Sequence, residues 1–580
     1  MSENVNVTIN GISVSVSSDS TIIEAAFKAD VRIPTLCYLK DLNAIGACRI
    51  CLVEVVGARG FQAACVAPVA EGMVVNTNTP ALRKSRKGTL ELILSNHRCD
   101  CLSCPKNTEC ELQSLCYEYD VDMFKYGSGD PEPDIDDSAV HLIRDNSKCI
   151  LCRRCTAACE KNQHVSVIGM SQRGYNTHIG SAFEVPLSET SCVHCGQCIV
   201  VCPTGALTEK DDTDKVWAAL ADESKHVVIA PAPSVRAQLG ESFGFPIGTN
   251  VEGKMVAAMR RLGFDNVFDV DTAADLTILE EGTELLHRVK DGGPFPLITS
   301  CSPGWIKFCE YYFPEFIPNL SSCKSPQQMF GAITKSYFAE KIQKDPKDIF
   351  VVSVMPCTAK KFEVTRDHQS ANGVPDVDVS ITTRELASMI KRAGIMFDKL
   401  EDEEFDNVFG IASGAGHIFG ATGGVTEAAL RTVVEIVTEK ELDNLEFNDV
   451  RGVEGIKEAE YDLNGLVVKI AVTSGLENAF KLLNMIKNGE KEYHFVEIMA
   501  CPGGCVNGGG QPIQSGFIRN TIDLRAERAK ALYGADSEMV LRKSHDNPNI
   551  KELYENYLGE PGSHRSHELL HTEYVAREIY

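Results

Sequence analysis

Cysteines are the side chains of this sequence whose number and spacing most directly imply chemistry. Of the 23 cysteines, 17 precede residue 203 and six lie between Cys301 and Cys505. Many of the first group stand three positions apart as CxxC pairs, which is a common spacing of metal ligands. The N-terminus lacks a basic segment followed by an apolar run, so we expect a cytoplasmic protein in a reducing compartment. There, clustered cysteines bind metal rather than form disulfides.

A repeated motif between residues 149 and 202 is the strongest local signal. The pattern CxxCxxCxxxC begins at Cys149 and again at Cys192, and Pro203 follows the second copy. It resembles the two-cluster ferredoxins of bacteria, in which the fourth cysteine of each copy ligates the other cluster. A pair of zinc sites is the alternative, which the spacing of the fourth cysteine disfavours. The expected 4Fe–4S ligand sets are Cys149, Cys152, Cys155 and Cys202 for one cubane, and Cys192, Cys195, Cys198 and Cys159 for the other.

Two further groups of possible ligands precede the repeat. A CxxC between two single cysteines resembles a variant of the plant-type 2Fe–2S ferredoxins, with a first gap of ten residues. A histidine with three cysteines could hold a 4Fe–4S cluster or zinc, and its place between iron–sulfur modules favours the cluster. The first set is Cys37, Cys48, Cys51 and Cys65, with a zinc knuckle as its alternative; the second is His97, Cys101, Cys104 and Cys110. Cys99 and Cys116 are expected to be non-ligands.

The elements that position these ligands follow from hydrophobic periodicity. Alternating apolar residues around Asn10-Gly11 predict a hairpin, and TIIEAAFKA predicts a helix. Residues 81–125 have a helical pattern, and the Gly-, Pro- and Asp-rich residues 126–140 are typical of a linker. Beyond residue 212, apolar runs such as HVVIAPA, PLITS, IFVVSVMPC and VVKIAVTSG alternate with helical segments such as KMVAAMRRLG. This alternation predicts an α/β region, in which chemistry usually lies at the ends of strands.

Three loops of this C-terminal region contain cysteines. They are TSCSPGW at 299–305, MPCTAKKFE at 355–363 and EIMACPGGCVNGGG at 497–510. Together they offer four thiols, the ligand number of one more cubane, and the glycines allow the backbone to approach a bulky cofactor. Buried thiols without a function are the plain alternative. The four cysteines are Cys301, Cys357, Cys501 and Cys505.

The three loops resemble the signatures of the FeFe-hydrogenases. The resemblance covers essentially the whole chain, including the N-terminal cluster modules of the large clostridial-type members. It implies an H-cluster, in which a 4Fe–4S cubane is bridged by a cysteine to a two-iron unit with CO, cyanide and azadithiolate ligands. The implied roles are the bridge for Cys505, cubane ligands for Cys357 and Cys501, a donor to cyanide for Lys360, and packing against the two-iron unit for Met355 and Met499.

The first loop departs from the family pattern. The family has two adjacent cysteines there, a proton relay followed by a cubane ligand, whereas this chain has Cys301 and Ser302. Ungapped spacing from Cys357 puts Ser302 in the ligand place. Thiolate is the better iron ligand, so we favour a local shift that lets Cys301 ligate, and both residues belong to the site. The resemblance also implies a proton route through Glu281, Glu284, Arg288 and Ser321.

The predicted architecture is a multidomain combination of α+β and α/β folds. A β-grasp-like, plant-ferredoxin-like 2Fe–2S domain spans 1–80, and a small helical His/Cys3 4Fe–4S domain spans 81–125. A bacterial-ferredoxin-like domain with two 4Fe–4S clusters spans 126–211, and the H-cluster catalytic domain spans 212–580. The predicted reaction is 2H+ + 2e− ⇌ H2, with electrons relayed through the clusters. The alternatives are an H2 sensor without high turnover and an electron-input subunit, which leaves the C-terminal loops unexplained.

Charge and composition limit the partners. The net charge of −24 disfavours nucleic acid, and the absence of an 18-residue apolar run predicts no membrane span. We expect electron exchange with ferredoxin, with NAD-linked flavin or iron–sulfur partner subunits, or with both. The tail GEPGSHRSHELLHTEY resembles catalytic subunits of NAD-linked, electron-bifurcating hydrogenases. No P-loop or GxGxxG lies between a strand and a helix, so NAD chemistry is expected on another subunit.

Overall fold

The N-terminal region is a five-stranded sheet with one helix packed on it. The structure is a computed structural model, and it describes residues 3–123, 125–126, 131–371, 373–453, 455–463 and 465–579. The predicted hairpin is confirmed, since Ile9 pairs with Ile12 across Asn10 and Gly11, both of which have positive φ. The strand order is second, first, fifth, third, fourth, and the first strand is parallel to the fifth. The elements are the strands Asn4–Ile9, Ile12–Ser17, Leu52–Val55, Gln62–Ala63 and Met73–Asn76 and the helix Ile22–Lys28.

Two helices follow, joined by the loop that contains His97. The first helix begins where the Thr79 hydroxyl accepts a hydrogen bond from the backbone of Leu82, and Pro80 occupies its first position. The second begins after Cys110, whose thiol accepts from the backbone nitrogen of Gln113. The helical pattern predicted for this region is therefore confirmed. The helices are Pro80–Leu94 and Glu111–Glu118.

The segment with the repeated motif forms short strands around two one-turn helices. Residues 127–130 of the predicted linker lie outside the described residues. The linker prediction is wrong for its later part, because Ile135 and Asp136 pair antiparallel with the strand that precedes Cys149. Its Pro- and Asp-rich composition did not reveal this edge strand. The strands are Ile135–Asp136, Leu142–Asp145, Gly169–Ser171, His178–Gly180 and Leu207–Glu209, and the helices are Arg154–Ala157 and Gln197–Val200.

The C-terminal region contains two four-stranded sheets. The first is entirely parallel, and the second has three parallel strands and one antiparallel edge strand. All four apolar runs quoted above form strands, which confirms the α/β prediction. In sheet order the strands are Asn266–Val267, His226–Pro231, Ile349–Met355 and Val379–Thr382 in the first sheet, and Leu297–Ile298, Phe495–Met499, Leu466–Ser474 and Ile456–Leu463 in the second.

Helices cover both sheets and bury their apolar side chains in three cores. The parallel strands are nearly continuous apolar runs because both of their faces are covered. Among the described residues, no helix combines the length and apolar character needed to cross a bilayer. The longer α-helices are Thr213–Leu220, Glu252–Arg261, Asp271–Asp291, Pro303–Tyr312, Pro326–Ile333, Thr383–Arg392, Gly424–Thr438, Leu476–Lys487 and Leu524–Glu538; the shorter ones are Ala339–Lys341, Ala359–Glu363, Gly414–His417, Gly516–Thr521, Pro548–Leu553 and His564–Leu570.

Candidate active site and electron-transfer centres

A cavity with an empty volume of about 720 Å³ lies between the two C-terminal sheets, at the carboxyl ends of their strands. Parallel strands bring their carboxyl ends to one edge, and four loops that follow strands meet here. The cavity walls are largely apolar, as expected for a site that excludes water. Its lining includes all the residues predicted for the H-cluster, namely Cys301, Ser302, Met355, Cys357, Lys360, Met499, Cys501 and Cys505.

Three of the four thiols form one group. Cys357 and Cys501 interact directly through their side chains, which lowers the pKa of Cys357 and raises that of Cys501. Burial, and then the neighbouring Cys357, raise the pKa of Cys505 to about 12. Thiols that are buried with no compensating positive charge stay protonated, whereas iron removes their protons on binding. The group therefore has the donor chemistry of a cluster site.

Cys301 and Ser302 face different neighbours. Burial raises the pKa of the Cys301 thiol well above its usual range, and the next contributions come from Glu281 and then Cys505. The Ser302 hydroxyl instead accepts a hydrogen bond of 3.2 Å from the backbone nitrogen of Ala500, directly before Cys501. The Cys301 side chain thus lies toward the acidic residues, and that of Ser302 lies toward the Cys501 loop.

Lys360 has a protein partner that the sequence did not reveal. Its ammonium lies 2.9 and 3.1 Å from the two carboxylate oxygens of Glu363, and it donates to the carbonyl of Cys301 at 3.1 Å. Glu363 also accepts from Ser325 and Gln327, each at 2.8 Å. The i, i+3 spacing on the helix Ala359–Glu363 could have suggested the Lys360–Glu363 pair.

The acidic residues expected to relay protons form a connected group beside Cys301. Arg288 donates to Glu284 at 2.7 Å, and Ser321 donates to the other oxygen of Glu284 at 2.9 Å. Burial, and then the charge of Glu284, raises the pKa of Glu281 to about 8. Ser300 lies 3.4 Å from Glu281, whose second oxygen has no hydrogen-bond partner among the described residues. The Glu281 carboxyl therefore holds a proton at neutral pH.

The two copies of the repeated motif fold in the same way. They form two groups of four cysteines, called the crossed sets, in which the fourth cysteine comes from the other copy. Leu151 and Arg153 in the first copy match His194 and Gly196 in the second, and all four have positive φ, which curls each loop around its cysteines. Each copy faces a cavity, with empty volumes of about 390 and 470 Å³. The first cavity is lined by Cys149, Cys152, Cys155 and Cys202, and the second by Cys192, Cys195, Cys198 and Cys159.

The cysteines of each N-terminal ligand set are also brought together. Cys51 and Cys65 lie 3.4 Å apart, and Cys37 interacts with Cys48 and Cys65 through side-chain contacts. Burial lowers the pKa of His97 to about 4, so its imidazole is neutral, and its Nδ1 has no partner among the described residues. A neutral imidazole with one unpartnered nitrogen is a form that can bind metal. Its companions Cys101, Cys104 and Cys110 are mutual electrostatic neighbours.

Direct contacts connect the cluster loops. The Asn43 amide is buried and donates to the carbonyl of Cys37 at 2.8 Å and to that of Cys152 at 3.0 Å. Arg154 joins the carbonyl of Tyr38 to Glu111, next to Cys110. These bonds fix the loops of both N-terminal ligand sets against the loop that contains Cys149, Cys152 and Cys155. Electron routes from the two N-terminal clusters would therefore meet at this loop.

The second cubane loop approaches the large cavity closely. A β-carbon added at Gly196 would lie 2.4 Å from the Thr358 hydroxyl and 3.0 Å from the α-carbon of Gly509. Thr358 follows Cys357, and its hydroxyl donates to the carbonyl of His194 at 2.8 Å. Only glycine permits this contact, which brings a cubane loop to the wall of the catalytic cavity.

The thiol sets, the cavities and the neutral imidazole fit iron–sulfur clusters, and these sites define an iron–sulfur oxidoreductase with a buried catalytic centre. The chain belongs to the FeFe-hydrogenase family and is a hydrogenase. Residues 225–509 match the family of iron-only hydrogenase large subunits, C-terminal domain, and residues 522–577 match the iron hydrogenase small subunit. Residues 2–80 match a 2Fe–2S cluster binding domain, 86–123 the NADH-ubiquinone oxidoreductase-G iron–sulfur binding region, and 148–206 a 4Fe–4S dicluster domain.

Relatives along the whole chain support this membership. The NADP-reducing hydrogenase subunit HndD of Solidesulfovibrio fructosivorans is 48% identical over 99% of both chains. Iron hydrogenase 1 of Clostridium pasteurianum is 44% identical over 98% of this chain and 99% of its own. An apo structure of the FeFe-hydrogenase HydA1 from Chlamydomonas reinhardtii is 42% identical, covers 64% of this chain and all of that one, and has a TM-score of 0.58. The cofactors are therefore the H-cluster, three further 4Fe–4S clusters and one 2Fe–2S cluster.

Sequence reasoning missed several residues of the cavity wall. Ser234 follows the strand His226–Pro231, so the end of that strand was an available signal. Phe419 lies in the glycine-rich segment 413–424, which was an available signal, and Gln327 follows Cys323 by four residues in a segment that was not singled out. The match of residues 522–577 to a small-subunit family was also not anticipated.

Proposed function

We propose that H2 is formed or split in the cavity between the two C-terminal sheets, with Cys357, Cys501 and Cys505 as ligands of the H-cluster. The observation that carries this proposal is the meeting of these thiols at one cavity whose wall includes Cys301, beside the buried, protonated carboxyl of Glu281. When bound, the H-cluster supplies the metal chemistry that joins protons and electrons. The protein supplies ligands, an electron route and a proton route.

The proton route begins at Arg288 and Glu284 and continues through Ser321 to Glu281. A carboxyl group with a pKa of about 8 can donate and regain a proton near neutral pH, as a general acid–base group must. Cys301 is the next group, because Glu281 is the residue that raises the pKa of its thiol most strongly after burial. Lys360, fixed by Glu363, presents a positive charge at the same wall.

We assign the relay to Cys301 and the cubane side to Ser302. The hydrogen bond from Ala500 to Ser302 and the electrostatic contact of Cys301 with Glu281 support this assignment. It reverses the preference drawn above from thiolate affinity. The position of the Cys301 side chain outweighs the higher affinity of thiolate for iron, because Cys301 would have to turn away from Glu281 to ligate.

Replacement of the proposed bridge tests the site. Cys505→Ala should abolish H2 evolution and uptake, while dithionite still reduces the N-terminal clusters as judged by EPR. Cys309→Ala is the matched control, since Cys309 is buried outside the cavity and lines no cluster site. Retained H2 chemistry in Cys505→Ala would refute the proposal.

The relay assignment makes a separate prediction. Cys301→Ala should keep all its iron and lose about 100-fold or more of its turnover, because alanine cannot pass a proton. Ser302→Cys should retain activity and shift the EPR spectrum of the catalytic cubane, since thiolate replaces a weaker oxygen donor. Loss of the cubane iron in Cys301→Ala would show that Cys301 is the ligand.

We infer that electrons pass through the clusters to soluble carriers or partner subunits in the cytoplasm. The NADP-reducing relative and the match to NADH-ubiquinone oxidoreductase-G support an NAD(P)-linked partner subunit. Ferredoxin is the second candidate, supported by the surface position of the N-terminal cluster modules. Co-purification from the native host, followed by identification of bound subunits, tests this inference.

A further inference from the structure

The helix Pro303–Tyr312 carries a buried lysine between the catalytic cavity and the second cubane. Lys307 is 4% exposed, and among the described residues no carboxylate lies within ion-pair distance of its ammonium. The ammonium contacts Nε2 of His194 at 3.2 Å and lies 4.5 Å from the centre of the Phe362 ring. Burial of an unpaired ammonium costs several kcal/mol, so a compensating negative charge is expected nearby.

The nearest acid on the same helix is already occupied. Glu310 accepts from the Arg366 guanidinium at both carboxylate oxygens and from Arg577 at one of them, the latter at 2.6 Å. Both guanidinium groups also lie near Phe362, at 5.6 and 5.5 Å from the ring centre. Three cations therefore lie around the Phe362 ring, and Lys307 is the one of them that Glu310 does not pair.

The histidines beside Lys307 do not supply the missing charge. His194 and His141 stack with ring centres 4.4 Å apart. An ammonium can only donate, so Nε2 of His194 accepts from Lys307 and carries no proton. His141 Nε2 lies 3.9 Å from the Cys192 sulfur. The residue that raises the pKa of Lys307 most strongly is Cys192 itself. The positive charge of Lys307 thus faces the thiols of the second cubane.

We propose that Lys307 is the counter-ion of the cubane held by Cys192, Cys195, Cys198 and Cys159, and that it stabilises the reduced form of this cluster. A cubane with four thiolate ligands is an anion, and its negative charge grows on reduction. A fixed cation therefore raises its reduction potential. Because this loop contacts the cavity wall through Gly196, Lys307 sets the last electron-transfer step before the catalytic centre. The inference rests on the cluster ligands assigned above.

Redox titration followed by EPR tests the proposal on protein that contains its clusters but lacks the two-iron unit, so H2 activity is not the readout. The signal of this cubane is identified by its loss in Cys192→Ala. Lys307→Met keeps the length and apolar stem but removes the charge, and its cubane potential should shift to more negative values. Lys307→Arg keeps the charge and should stay near the wild-type potential. The other clusters of each variant are internal controls.

The outcomes separate the charge of Lys307 from its packing. A negative shift confined to this cubane in Lys307→Met, with Lys307→Arg unshifted, supports the proposal. Loss of this cubane in Lys307→Met and Lys307→Gln but not in Lys307→Arg also supports the proposal, since Lys307→Arg is the variant that keeps the positive charge. An unchanged potential in Lys307→Met, an equal shift of all clusters, or loss of the cubane in all three variants overturns it. Failure of the ligand assignment would appear separately, as retention of the signal in Cys192→Ala.

Discussion

Glu281 combines full burial with a nearby second carboxylate, and both effects disfavour its charged form. With a pKa of about 8 it is a proton donor at neutral pH and loses that role as the pH rises through this value. H2 evolution by the wild type should therefore decline above about pH 8 with the titration of one group. The same decline should be absent from a variant that lacks the carboxyl.

Glu281→Gln is that variant. It removes the titrating proton but keeps the size of the side chain, so turnover should fall by about 100-fold or more while the cluster spectra stay unchanged. Glu315→Gln is a suitable control, because Glu315 pairs with Lys487 on the surface, away from the cavity. Rates at several pH values check both statements. An unchanged rate in Glu281→Gln would mean that protons reach Cys301 by another route.

Individual ligands were predictable to the extent that their chemistry is local. Repeated CxxC spacing predicted the crossed sets, because four thiols can surround a cubane only in a few arrangements. For Cys301 and Ser302, ungapped spacing pointed to the roles now proposed, and the higher affinity of thiolate for iron pointed away from them. Glu363 and Lys307 were missed because a buried charge has meaning only once its neighbours are known.

Loops and strand ends hold the clusters at fixed separations. The prediction of strands succeeded because runs such as IFVVSVMPC are apolar throughout, which is typical of strands covered on both faces. It failed for Ile135–Asp136, a two-residue edge strand in a proline-rich segment. The approach of the Gly196 loop to Gly509 could not be foreseen either, because these loops are more than 300 residues apart in sequence.

That approach can be tested with a pair of glycines in similar conformations. Gly196 and Gly174 have φ of +68° and +63°, but a β-carbon at Gly174 would meet no atom within 4 Å. Alanine at either position should cost about 1 to 2 kcal/mol of backbone strain. Only Gly196→Ala should also push the cubane loop away from Thr358. Freeze-quench EPR should show slower reduction of the catalytic cubane in Gly196→Ala than in Gly174→Ala, and equal rates would argue against a role for this contact.

At the scale of the whole molecule, a series of iron–sulfur modules connects to one catalytic cavity. The order of its modules was predictable because each has its own cysteine spacing. The convergence of two N-terminal routes on the first cubane was not, since it depends on buried bonds of Asn43 and Arg154 between distant segments. Under the proposed function, two N-terminal modules that feed one line of clusters would allow exchange with more than one carrier.

This arrangement predicts how the isolated chain treats nicotinamide nucleotides. No glycine-rich nucleotide motif follows a strand in the sequence, so hydride chemistry should require a partner subunit. The purified, fully matured chain should oxidise H2 with methyl viologen as the acceptor but should not reduce NAD+ or NADP+. Addition of the co-purifying subunits should restore nucleotide reduction, measured as absorbance at 340 nm under H2.

Cys505→Ala assembled with the same subunits is the control, because it should lose H2-dependent reduction while electron transfer among the other clusters continues. Formation of NADH or NADPH by the chain alone would contradict this division of labour and would place a nucleotide site within these 580 residues.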